Sequence, residues 1–172
     1  MDNPQLLGIL TLENMFDPLS ENIWQYNKMA GTVRDLIDTA ENIKAEKYLV
    51  SKLKLIAHDI ENSHSDDMIR SGNSWVKWKD ATQKERTVAL EEDKKRIQDA
   101  NFKHPIIVMG DNNKPMAILD GNHRVLKAHE LKKKTINTKF VSEEVVQTRF
   151  GSSTYLSKLW SYRLANSDNQ KN

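Results

Sequence analysis

Asp120-Gly121-Asn122-His123-Arg124 is the stretch of this chain whose residue types could do chemistry together. A glycine between an apolar run (Met116 to Leu119) and a helix-like segment (Val125 to Leu131) lets a ligand come close to the backbone. The helix start beyond it presents unpaired N–H groups and the positive end of the helix dipole. An imidazole and a guanidinium directly after the glycine add donors matched to phosphate oxygens. The stretch therefore reads as a site for a phosphate-bearing ligand. The competing reading is structural, because a glycine and a polar cap also join strands to helices where no ligand binds.

Three kinds of element must hold that stretch in place. Upstream, Pro105-Ile106-Ile107-Val108-Met109 is a short, uninterrupted apolar run of the kind expected for a strand buried on both faces. Gly110-Asp111-Asn112-Asn113-Lys114-Pro115 is dense in turn formers. Downstream, Val125, Leu126, Ala128 and Leu131 give a helix one apolar side, and Ile136, Thr138 and Phe140 alternate like a strand. The order expected is strand, turn, strand, motif, helix, strand.

On these residues the chain resembles the ParB/sulfiredoxin superfamily. His104-Pro105-Ile106-Ile107-Val108, then Ile118-Leu119-Asp120-Gly121-Asn122-His123-Arg124, then Ala128 and Leu131, is similar to that family's "PIIV" strand and its "DGxHR", "GCHR" or "GERR" nucleotide-phosphate motif opening a helix. The resemblance covers roughly Lys84 to Val141. Lys47-Tyr48-Leu49-Val50-Ser51-Lys52-Leu53 is similar to the family's first strand and its exit. It implies an α/β (α+β) fold, a small mixed sheet flanked by helices. Departures narrow the activity. The chain has no cysteine, and Asn122 stands where sulfiredoxin needs one, which excludes sulfinic-acid repair through a thiol. Glu143 to Arg149 only faintly echoes the "ENxxR" element of segregation proteins, and a short tail follows it. The "DGxHR" spelling is closer to stand-alone members, among which the resemblance implies small-metabolite kinases such as free serine kinases, nucleotide hydrolases and ParB-like nucleases.

His58-Asp59-Ile60-Glu61-Asn62-Ser63-His64-Ser65-Asp66-Asp67 concentrates imidazoles and carboxylates, but it has no thiolate and no His-x3-His pair, so a structural zinc site is not expected. A polar loop is the simpler reading. Asp59 and Glu61 are the candidates for a general base or for a contact to nucleotide-borne Mg²⁺. Trp75 and Trp78, interleaved with Lys77 and Lys79, read either as packing anchors or as a platform for a nucleobase. Lys132-Lys133-Lys134 suits a helix C-terminus and could also meet nucleic-acid phosphates.

Residues 1–45 are expected to form a helical extension. Thr32 and Asp35 make a capping pattern ahead of Val33, Leu36, Ile37, Ala40 and Ile43, and a further helix start is expected at Ser20. Residues 46–146 are the ParB/sulfiredoxin-like domain, and residues 147–172 a C-terminal helix (Tyr155, Leu156, Leu159, Trp160, Leu164) and a polar tail. The 26 basic and 24 acidic residues nearly balance, so overall charge does not imply nucleic acid. No membrane span or secretory leader is expected, and the absence of cysteine fits a cytoplasmic protein.

The expectation is a nucleotide-phosphate-binding protein that carries out phosphoryl transfer or nucleotide hydrolysis with Mg²⁺ and a nucleoside di- or triphosphate. Gly121 and the N–H groups after it would cradle a phosphate, His123 and Arg124 would neutralise charge, and Asn122 would orient an oxygen. Asp120 would meet Mg²⁺ or ribose, or cap the helix. The alternatives are a ParB-like DNA-binding protein or nuclease, and a non-catalytic protein that binds a partner, or its own copy, through the terminal helices.

Overall fold

The computed structural model describes residues 23–26, 29–60, 68–71 and 74–152. The expectations for Glu61, for His64 to Asp67, for the helix start at Ser20 and for the C-terminal helix and tail lie outside these residues. In chain order the elements are β1 (Ile23–Tyr26), β2 (Met29–Thr32), α1 (Val33–Thr39), β3 (Glu46–Leu49), α2 (Val50–Lys54), β4 (Met68–Ser71) and β5 (Ser74–Lys77). A 3-10 turn (Trp78–Asp80) follows, then α3 (Gln83–Asp99), β6 (Ile106–Gly110), β7 (Pro115–Asp120), α4 (Asn122–Glu130), β8 (Thr135–Val141) and α5 (Glu143–Phe150). The fold is mixed α and β, with a four-stranded mixed sheet in the order β3-β8-β6-β7 and flanking helices. The expected succession of strand, turn, strand, helix, strand is present as β6 to β8. The chain divides into two compact units.

The first unit comprises Met1–Glu46, Ile107–Asp120 and Thr138–Asn172. Its β6 and β7 pair antiparallel, with Ile107 opposite Asp120 and Met109 opposite Ala117. The reversal between them is held by the Asp111 carboxylate, which accepts from the Asn113 and Lys114 N–H groups at 2.8 Å each. Asp111 does here what an aspartate at the first position of a turn does generally.

Over residues 23–32 the structure corrects the helical expectation, for β1 and β2 form an antiparallel hairpin with Trp24 opposite Gly31. Ile23, Trp24 and Met29 are large apolar residues that a core helix would accept, but β-branched and aromatic residues fit a pleated strand as well. Tertiary packing decides between them. A Cβ on Gly31 would come within 2.5 Å of Phe150 Cδ1, so only glycine lets β2 approach α5. The Trp24 and Phe150 rings meet edge to face at 4.8 Å and 83°. Around them Met29, Leu36, Ile107, Met109, Leu119, Val141 and Val146 complete a single apolar core. α1 is capped as expected, with the Asp35 N–H donating to Thr32 Oγ1 at 3.1 Å. It stops at Thr39, short of Ile43, and Lys139 Nζ donates to the Ala40 carbonyl beyond its end at 2.9 Å.

The second unit comprises Lys47–Ile106 and Gly121–Asn137. α2 and α3 both pack on α4, and Val50, Leu53, Ile97, Val125, Leu126 and Ala128 are buried. The 17-residue α3 is mostly polar, burying Ala89 and Ile97. Its start is therefore secured by polar contacts. Thr82 and Glu85 form a reciprocal capping box, and Ser71 Oγ donates to Glu85 Oε1 from the end of β4. These bonds, Ser71's foremost, hold the Glu85 carboxyl below the usual carboxylate range.

Candidate functional site

Gly121 is the hinge of the motif. Its φ of 99° and ψ of 20° put it in the left-handed region, and it is the N-cap of α4. A side chain is excluded twice over, since a Cβ there would lie 2.6 Å from Ile106 Cδ1 and 3.0 Å from Arg124 Nη2. The Val125 N–H makes the first helical bond, to the Gly121 carbonyl at 3.1 Å. The amides of Asn122 and His123 come before that bond, at the positive end of the helix, and no side chain caps them from the N-cap position.

Each side chain of the motif is placed by a specific partner. Arg124 Nη1 donates to the carbonyls of His104, at 2.6 Å, and Pro105, at 3.2 Å. The guanidinium thereby folds back across Gly121, with Nη2 and Nε lying 3.0 and 3.1 Å from where a Cβ would be. Asn122 turns to the loop after α2, accepting from the His58 N–H at 2.8 Å and donating to the His58 carbonyl at 2.6 Å. His123 Nε2 lies 2.8 Å from Asp93 Oδ1 on α3, with the His123 and Asp93 side chains 35% and 14% exposed.

Asp59, a candidate base from the sequence, is paired with Lys54 at 3.1 Å. It lines a cavity of about 150 Å³ among α2, α3 and α4 that Asp93, Lys94, Leu126, His129 and Glu130 also line. The structure therefore gathers Asp59 and Asp93 at one cavity, next to the motif that supplies Asn122 and His123. Asp93 was not singled out by the sequence. It sits in the charged run Glu91 to Arg96, where nothing in spacing or type distinguishes it from its neighbours. Asp120, the last residue of β7, is half-buried opposite Ile107 in the first unit.

The remaining sequence candidates lie elsewhere in the second unit. Trp78 has the Arg86 guanidinium 5.3 Å from its ring centroid, with Arg86 Nε donating to the Trp78 carbonyl at 3.0 Å. Trp75 lies in β5. Lys132 takes a left-handed φ of 55° just after α4, and the Lys133 N–H closes back on the Ala128 carbonyl at 2.9 Å. The Lys133 ammonium stands 4.7 Å from the Phe102 ring centroid. Among the described residues no group of three or more His, Asp or Glu side chains is placed to hold a metal ion. No helix among them is long and apolar enough to cross a membrane.

Comparison of the chain with protein-family models, with curated proteins and with solved structures returns no match.

Proposed function

We propose that this protein binds a nucleoside di- or triphosphate at the start of α4 and uses it in phosphoryl transfer or hydrolysis. One observation carries the reading: the left-handed, side-chain-free Gly121 opens α4 with the Arg124 guanidinium folded over it. Backbone donors, the helix dipole and a fixed cation then converge on one spot, the combination that suits a phosphate. The resemblance to the ParB/sulfiredoxin superfamily points the same way and supplies the choice of a nucleotide.

In this reading Gly121 lets the phosphate approach, and the Asn122 and His123 amides cradle it. Arg124, already anchored on the His104 and Pro105 carbonyls, neutralises charge without having to be ordered first. Asn122, whose carboxamide is engaged by His58, holds the loop that carries Asp59. Mg²⁺ belongs to the nucleotide rather than to the chain, because its ligands would be mainly phosphate oxygens.

Calorimetric titration of the protein with ATP, ADP, CTP and GTP, each with Mg²⁺, tests the proposal against Arg124→Ala. Binding of one nucleotide that weakens roughly ten-fold or more in the variant supports it, the size expected for a lost charge-assisted hydrogen bond. Absence of binding by all four overturns it.

A further inference from the structure

We infer that the loop between α3 and β6, together with the exit of α4, is a binding surface for single-stranded nucleic acid. Phe102 is its stacking platform for a base, and Lys103, Lys132, Lys133 and Lys134 are its phosphate contacts. The inference stands apart from the phosphate-binding reading above, which uses Gly121 and Arg124 at the other end of α4.

Charge is the first observation. Residues 100–106 and 125–137 carry five cations, Lys103, Lys127, Lys132, Lys133 and Lys134, against one carboxylate, Glu130, in a chain whose formal net charge is only +2. Lys103 and Lys132 to Lys134 are exposed. The nearby carboxylates are committed to other features: Glu130 lines the cavity beside Asp93, and Asp99 lines a groove along α3 with Lys95 and Arg96. An unbalanced basic surface of this kind attracts a polyanion and releases its counterions.

The second observation is an aromatic ring set among those cations. The Lys127 and Lys133 ammoniums stand 5.9 and 4.7 Å from the centroid of the partly exposed Phe102 ring. The loop that carries the ring is fixed before any ligand arrives. Lys127 Nζ donates to the Gln98 carbonyl at 2.6 Å and to the Ala100 carbonyl, and the Asn101 carboxamide accepts from the Lys103 N–H at 3.1 Å. At the exit of α4 the Lys133 N–H closes on the Ala128 carbonyl at 2.9 Å, which ties the lysine run to the helix. An ammonium over a partly exposed ring is a weak contact. A base that stacks on Phe102 therefore replaces it and leaves Lys133 beside the phosphate of the same nucleotide.

Together the two observations select the partner. Stacking on an aromatic side chain needs an unpaired base, which a single strand presents and a duplex does not. A membrane surface would call for an apolar face beside the cations. Leu131, 58% exposed, is the only large apolar side chain exposed in these two stretches.

The test uses the full chain and a fluorescein-labelled oligothymidylate of about 15 nucleotides, the span of one such site, with binding followed by anisotropy. Each lysine on a phosphate contributes about 0.7 to the slope of log affinity against log salt, so Lys133→Ala/Lys134→Ala should make the slope shallower by about 1.4. Phe102→Leu keeps the apolar bulk and should weaken binding roughly five-fold or more through lost stacking. MgATP titrations of the double-lysine variant should match those of the wild type, which separates this surface from the start of α4. No binding of the strand overturns the inference, as does an unchanged slope in the double-lysine variant. Equal affinity for a duplex of the same length overturns the choice of a single strand, and tighter binding to vesicles rich in phosphatidylserine overturns it in favour of a membrane. Loss of strand binding in Arg124→Ala but not in the lysine variants overturns it by moving the strand to the start of α4. The lysines are exposed, so their variants decide the matter even if Phe102→Leu does not fold.

Discussion

Asn122 and His58, 64 positions apart, are joined by two hydrogen bonds that run in opposite directions between a side chain and a main chain, at 2.6 and 2.8 Å. The carboxamide imitates the pairing of one strand residue with another, and it ties the loop after α2 to the first residue of α4. Asn122→Ala removes both bonds and should cost about 1–2 kcal/mol, taking each at its usual net value. Asn122→Asp keeps the acceptor for the His58 N–H and loses the donor, so its effect should be smaller. Urea denaturation gives the stabilities, and amide exchange at His58 should quicken in Asn122→Ala. Unchanged exchange would mean that the loop is held by other contacts.

Two residues at the ends of α4 occupy the left-handed region, and only one of them is suited to it. Gly121, at φ 99°, should not tolerate a methyl group, since Ile106 Cδ1 would stand 2.6 Å from it. Backbone strain and the clash together make Gly121→Ala destabilising by about 2–4 kcal/mol. Lys132, at φ 55°, is the opposite case: it ends the helix with a side chain where glycine is usual. Lys132→Gly should therefore stabilise the chain by roughly 0.5 kcal/mol, the relief of strain less the added freedom of the unfolded state. Denaturant midpoints moving in opposite directions are the expected outcome.

Acid should loosen the contact between β4 and α3. The Ser71 hydroxyl and the Thr82 backbone and hydroxyl favour the charged form of Glu85, so its carboxyl titrates lower in the folded chain than in the unfolded one. Its contribution to stability is present above the ordinary glutamate range and is lost as pH falls through the lowered folded value. Carbon-detected NMR titration of Glu85 should show this directly. In Ser71→Ala the midpoint should rise toward the ordinary range, because the largest of the three causes is gone. An identical titration curve in that variant would assign the effect to the capping box alone.

Much of the architecture is legible in the residues themselves. Ile106 to Met109 is apolar without interruption and forms β6, Asp111 holds the turn, and Gly121 marks the change from strand to helix, because each depends on local chemistry. The Thr32 cap of α1 was readable for the same reason. What could not be read is what depends on partners distant in the chain. Trp24 and Met29 suit a core helix or a strand by residue type, and the packing of Gly31 on Phe150 selects the strand. At the candidate site, the motif was visible from Gly121 to Arg124, but the partners of its side chains were not. Asp93 is one carboxylate among several in α3, and only the packing of α3 on α4 sets it apart.

The edge-to-face contact of Trp24 with Phe150 also bears on how the protein is made. Synthesis is vectorial, and the first unit draws its core from stretches near residues 24–40, 107–119 and 141–150. The hairpin that opens the described chain must wait for α5 to clear the ribosome before Trp24 has its ring partner. Until then Trp24, Met29 and Leu36 lack part of their apolar cover, and the nascent chain is open to aggregation in that interval.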